Sequence, residues 1–201
     1  MGIYTIQPGI ADGNDTVIAS ALPDDASGYL NTVNTVIVTH GKATQLDRSL
    51  ISFDISSVPS AAKIKSAHLN IILTGTTVGD FTILVRRLTR NFVNGQATWN
   101  SYQTGSAWTN PGGDLSTKNE LSFYVPVVGG GNPSTPITVL GLGPMINDAR
   151  SAGFNKLNLV LMDSDEANGN KDTDFFSADH ATASNRPKLT IITVKPLPTI
   201  N

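Results

Sequence analysis

Branched β-carbons dominate this chain: 14 Val, 16 Ile and 22 Thr make 52 of its 201 residues, against two Glu, Glu120 and Glu166. Side chains branched at Cβ pack well on a pleated surface, whereas Glu belongs to exposed helix faces. The chain is therefore expected to be sheet almost throughout, with 18 Gly and 11 Pro supplying the turns. Its length suits one sizeable core.

Period-2 alternation places the strands. In residues 66–74, Ala67, Leu69, Ile71 and Leu73 fall on one face and Ser66, His68 and Asn70 on the other. Leu157, Leu159 and Leu161 alternate with Asn158, Val160 and Met162 in the same way. Further strands are expected at 16–20, 35–39, 48–55, 81–89, 121–127, 137–140, 173–178 and 187–194. About ten strands with irregular loops predict an all-β fold, an antiparallel jelly-roll-like β-sandwich with one short helix. That helix is expected at 144–152, where Leu142, Met145, Ile146 and Ala149 recur at helical spacing, Pro144 suits a first turn and Gly153 a stop. Its apolar stripe would close one end of the sandwich. The Gly129–Pro133 run reads as a loop inside the domain. The expected division is an N-terminal arm at 1–14, a single sandwich domain at 15–194 and a C-terminal tail at 195–201. Ile3, Tyr4 and Ile6 in the arm and Leu197 and Ile200 in the tail are candidates for packing on the domain itself or for docking on a neighbouring chain.

Charge and composition remove several classes of function. Charged residues make up 15% and the formal net charge is -2, which gives no footprint for neutralising phosphates, so nucleic acid is not an expected partner. With no Cys, disulfides, thiolate catalysis and Cys-ligated metals are excluded. No run of about 18 apolar residues exists, and the first twenty residues lack a basic start and an apolar stretch. The expectation is a complete product without a signal peptide or membrane span.

Catalytic patterns are sparse. There is no G-x-S-x-G and no H-E-x-x-H, and His40, His68 and His180 lie far apart. Fourteen Asp and two Glu contain no pair that spacing nominates for glycoside hydrolysis. A lyase would need a base beside a charge-neutralising group, and Lys171 in the acidic stretch is the nearest candidate. The expectation is a non-enzyme without a cofactor. Calcium is a weak alternative at 163–172, where Asp163, Asp165 and Asn168 bunch oxygen ligands. The glycine there is one place too late for an EF-hand loop, and an acidic solvated hairpin loop is the competing reading. Both tryptophans and one of four tyrosines, Trp99, Trp108 and Tyr102, fall within ten residues. Exposed rings of this kind stack on sugar faces, while buried ones fill a core. The structural version has Trp99 in the core and Trp108 partly exposed.

The order of motifs adds to this reading. The run from Arg48 to Pro59 with Ala62 to Leu69, then Val85 to Thr89, Ala97-Thr98-Trp99-Asn100, Trp108, Gly112-Gly113-Asp114, Phe175 to Asp179 and Asn185 to Thr190, resembles the core of the DNRLRE-type β-sandwich domains. The resemblance spans about residues 15–194. It implies a jelly-roll-like, non-catalytic sandwich of the carbohydrate-binding-module type that also occurs in phage virion proteins. Phe53 and Leu69 would point inward, Pro59 would form a turn and Arg186 would precede an exiting strand. The chain departs from the pattern in carrying Phe92 and Asn94-Gly95-Gln96 where a Trp and a Glu are frequent. Together these features point to a structural or attachment protein on a phage virion surface, such as a capsid decoration protein, made in the host cytoplasm. Its expected partners are the major capsid protein, further copies of itself, or glycans. A free-standing carbohydrate-binding module, using Trp108, Tyr102 and Trp99, is the alternative.

Overall fold

A computed structural model describes residues 1–10, 12, 15–26, 35–39, 45–74, 81–125, 134–167 and 172–194, with residues 35–39 and Phe81 as backbone. In chain order the elements are β1 (Gly2–Ile6), β2 (Asp15–Ala19), β3 (Thr35–Thr39), β4 (Asp47–Asp54), β5 (Lys63–Leu73), β6 (Phe81–Arg87), β7 (Ser101–Gln103), β8 (Ser106–Ala107), β9 (Leu121–Val125), β10 (Thr135–Leu140), α1 (Gly143–Ser151), β11 (Lys156–Asp163), β12 (Asp172–Phe176) and β13 (Lys188–Val194). One sheet runs β1-β13-β5-β12-β3, with β10 on the other edge of β5; the second runs β2-β4-β11-β6-β9; β7 and β8 form a small hairpin. Every pairing is antiparallel. The all-β antiparallel sandwich is thus the architecture of the chain, with one α-helix among the described residues.

Alternation builds the core between the sheets. Ala67, Leu69, Ile71 and Leu73 of β5 face Ile51 and Phe53 of β4, the three odd leucines of β11, and Ile83 and Val85 of β6 in one buried cluster. Phe123 of β9 meets Phe175 of β12 edge to face across the layers, with centroids 6.0 Å apart. Helix α1 places Met145, Ile146 and Ala149 in the same cluster and ends at Gly153, whose φ of 80° suits a residue without Cβ. The Arg150 guanidinium donates to the carbonyls of Val58 (3.0 Å), Pro59 (3.3 Å) and Ala62 (3.2 Å), which fastens the helix to the β4–β5 turn. Phe53 and Leu69 are fully buried, and Pro59 lies in the exposed turn.

The second sheet differs from a half-solvated one. Asn158, Val160 and Met162 of β11 are buried like the leucines between them, because the opposite face is also covered. Over Asn158 and Val160 the cover is the stretch after β6, which leaves and returns through a bridge between Leu88 and Leu115. A sheet covered on both faces tolerates continuous apolar strands, so polarity at alternate positions is not required there.

The N-terminal segment lies on its own domain, as an edge strand. β1 pairs with β13 from Gly2↔Thr193 to Ile6↔Leu189. Tyr4 and Ile6 turn inward against the main core, and Ile3 points outward at 63% exposure. The edge of β13 would otherwise present bare N–H and C=O groups, which β1 satisfies along one side. Gln7 then locks the exit by donating to the carbonyls of Ala183 (2.7 Å) and Arg186 (3.2 Å). Leu197 and Ile200 of the tail, and the Gly129–Pro133 loop, lie outside the described residues.

Candidate functional site

Residues 88–116 form the most elaborate polar and aromatic cluster of the described structure. Their apolar residues Leu88, Phe92, Ala97 and Trp108 pack with Ile18, Leu50 and Val160 from the outer face of the second sheet, and Trp99, Tyr102 and Leu115 complete this second core. Trp108 is 4% exposed, and its indole N–H donates to the Thr98 carbonyl at 2.9 Å. Tyr102 meets it edge to face at 5.7 Å.

Two arginines clasp this segment from outside. The Arg48 guanidinium of β4 lies 4.8 Å from the centre of the Trp99 ring, donates twice to Glu166 (2.7 and 2.6 Å) and once to the Gly112 carbonyl (2.7 Å). Planar guanidinium geometry serves the carboxylate fork and the ring face at once. Arg90 lies 4.7 Å from the centre of the Tyr102 ring and donates to Asp114 at 3.1 Å. Partial burial pushes the Asp114 carboxyl up, but donors from the Asn110 backbone, Arg90 and Thr109 outweigh it and hold the group below its ordinary range.

Gly112 is the point where the clasp tolerates no side chain. Its φ is 88°, and a Cβ there would stand 2.5 Å from Arg48 Nη1 and 2.9 Å from the Trp99 ring. Gly112→Ala is expected to cost about 2 kcal/mol, from left-handed strain plus displacement of Arg48. Urea unfolding followed by tryptophan fluorescence would measure it; an unchanged midpoint would mean that Arg48 and Trp99 are not held as described.

The three aromatics nominated from the sequence do come together, but in the opposite sense to the one expected. Trp108 is core and Trp99 is the half-buried ring, with one face taken by Arg48. A sugar cannot reach Trp108, because the ring covers the second sheet. Sequence reasoning overlooked Arg48, Arg90, Glu166 and Asp114 as members of the cluster. Arg48 and Glu166 are 118 positions apart, so no local spacing announces them.

The remaining nominated residues lie apart from this cluster. Asp163 is 1% exposed at the inner end of β11, where its Oδ1 accepts the Asp165 N–H at 2.7 Å. Asp165 is exposed, while Asn168 and Lys171 lie outside the described residues. Among the described residues no three His, Asp or Glu side chains are placed to hold a metal ion. His68 faces outward on β5; the His180 ring packs on Phe176 at 4.2 Å; His40 lies outside the described residues. A cleft of about 310 Å³ beside the end of β1 is lined by Ile6, Gln7, Pro8, Asp12, Asp54 and Lys156. Both of its carboxylates are engaged in turns, Asp12 with the Gly9 N–H and Asp54 with the Ser56 N–H.

One buried acid was not legible in the sequence. Asp15, at the start of β2, is 7% exposed and accepts the Ala178 N–H at 2.6 Å, joining the second sheet to the chain leaving β12 in the first. Burial pushes its carboxyl up to about 7, against the lowering effect of the Ala178 N–H and with a smaller push from Asp179.

Comparison with protein-family models gives no match, and neither does comparison with curated proteins. Among the described residues no helix is long and apolar enough to cross a membrane.

Proposed function

We propose that the chain is a non-catalytic structural protein of a phage particle surface, of the capsid-decoration kind. The observation that carries this reading is the commitment of the Arg48–Trp99–Glu166 and Arg90–Tyr102–Asp114 groups to one another. A cluster whose donors and acceptors are satisfied internally strengthens a scaffold and leaves little to turn over a substrate. The motif order that resembles the DNRLRE-type domains supports the same reading. So does the rigid double covering of the second sheet, which suits a module presented on a particle and engaged at many equivalent positions.

The test is to raise antibodies against the untagged chain and label purified particles from the source of the gene by immunogold electron microscopy. Regular labelling of the shell is expected. Chain recovered solely in the soluble fraction, or turnover of a polyuronate or other glycan by the pure protein, would overturn the proposal.

A further inference from the structure

The outward face of the first sheet has a nearly neutral centre and oppositely charged ends. Strand register lays out four rows across β1, β13, β5 and β10: Ile3, Ile192 and Ser66; Thr5, Thr190, His68 and Leu140; Lys188, Asn70 and Thr138; Ile72 and Pro136. Of these residues Lys188 alone is a Lys, Arg, Asp or Glu. Leu140 is 69% and Ile3 63% exposed, which is unusual for large apolar side chains on a flat sheet. The Asn70 amide donates to Thr138 Oγ1 at 2.8 Å, so part of the polar lining is satisfied within the face.

The charges stand at the two ends of β5. Lys63 and Lys65 are exposed at its start, on either side of the core-facing Ile64. Beyond its other end β12 takes over through Phe175↔Leu73, and there Asp172 and Asp174 alternate with buried Thr173 and Phe175. At about 3.3 Å per residue the two pairs are roughly 30–40 Å apart, with His68 and Asn70 midway. Burial and the neighbouring Asp172 push the Asp174 carboxyl up.

Such a face complements its own copy. A twofold axis lying in the face, across the strands near His68 and Asn70, sets each lysine pair on the other molecule's aspartate pair and stacks the neutral rows between them. Sheets packed face to face at the usual angle of about -30° and spacing of about 10 Å fit this arrangement. Four strands about 4.8 Å apart, from 5 residues long in β1 to 11 in β5, present roughly 450 Å² of flat area, a little over half of the ~800 Å² per partner of a standard interface, so the charged ends carry the complementarity. We propose that the outward face of the first sheet is a homodimer interface, closed by Lys63 and Lys65 of each copy against Asp172 and Asp174 of the other. The axis also brings the two Lys188 side chains near each other, so Lys188→Ser tightens the pair.

The experiment is sedimentation equilibrium of the untagged full chain over a concentration series, with circular dichroism confirming the fold of each variant. Wild type is expected to reach twice 21.2 kDa. Lys63→Glu with Lys65→Glu, and separately Asp172→Lys with Asp174→Lys, each raise the dissociation constant about tenfold or more, and the fourfold charge swap restores dimers. Wild type that is monomeric even at millimolar concentration overturns the proposal. So does a trimer or larger ring, a dimer indifferent to either reversal, or a folded fourfold swap that stays monomeric. None of these outcomes bears on where the chain resides, so the virion reading is tested separately.

Discussion

Trp108→Ala is expected to lower stability by about 3–5 kcal/mol, with a fall in the thermal midpoint of about 10 °C. The indole fills the second core between Leu50, Val160 and the 88–116 segment, and its N–H holds the Thr98 carbonyl. Truncation removes the ring, leaves a cavity the surrounding strands cannot close, and strands a carbonyl acceptor. Tyr102 also loses its edge-to-face partner, which loosens the ring under Arg90. Chemical denaturation followed by far-ultraviolet circular dichroism would measure the loss. A variant within 1 kcal/mol of wild type would show that the ring is not part of the core. This reverses what the sequence suggests for an exposed platform, where the same change would spare stability.

Asp15→Asn is expected to stabilise the protein at pH 8, by about 2–4 kcal/mol, and to do so less as the pH falls. In the folded chain the carboxyl titrates at about 7, against an ordinary aspartate value of 3.8. A raised folded value means that the folded state holds its proton more tightly. The contribution of Asp15 to stability is therefore fully present below about pH 4 and is lost as pH rises through about 7. Above that, a charge stays buried at the joint between the sheets, beside Asp179. Asparagine keeps an oxygen for the Ala178 N–H and carries no charge. Thermal midpoints of wild type and variant at pH 4, 6 and 8 would check the sign: the difference should be largest at pH 8 and smallest at pH 4. A difference independent of pH would remove the buried acid from the account.

Much of the fold is legible because side-chain direction in a strand is a local property. The alternation at 66–74 identifies the inward row of β5, and the helical spacing from Leu142 to Ala149 with Pro144 and Gly153 places α1 within one residue at each end. The strand at 35–39 matches β3 at both ends. Local pattern fails where burial comes from distant chain. Asn158 and Val160 alternate with the inward leucines and read as the opposite face, but the 88–116 segment folds over them. Ile3, Tyr4 and Ile6 read as an arm because their partner strand begins more than 180 residues later.

The candidate site divides in the same way. Composition and spacing brought Trp99, Tyr102 and Trp108 to attention, since scarce aromatics within ten residues must share one neighbourhood. Which ring is buried depends on the direction in which the segment meets the second sheet, and that is fixed by Leu50, Ile18 and Val160 on three separate strands. The Arg48–Glu166 pair, the two charged ends of the first sheet's outward face and the Asp15–Ala178 joint arise from residues far apart in the chain. By itself the sequence determined that the chain is an antiparallel β-sandwich with one helix, because backbone propensity and the period of the apolar pattern act over a few residues. The tertiary structure alone decided which polar and aromatic groups are buried, paired or left outward, because burial and electrostatic pairing depend on distances between strands that no local pattern encodes.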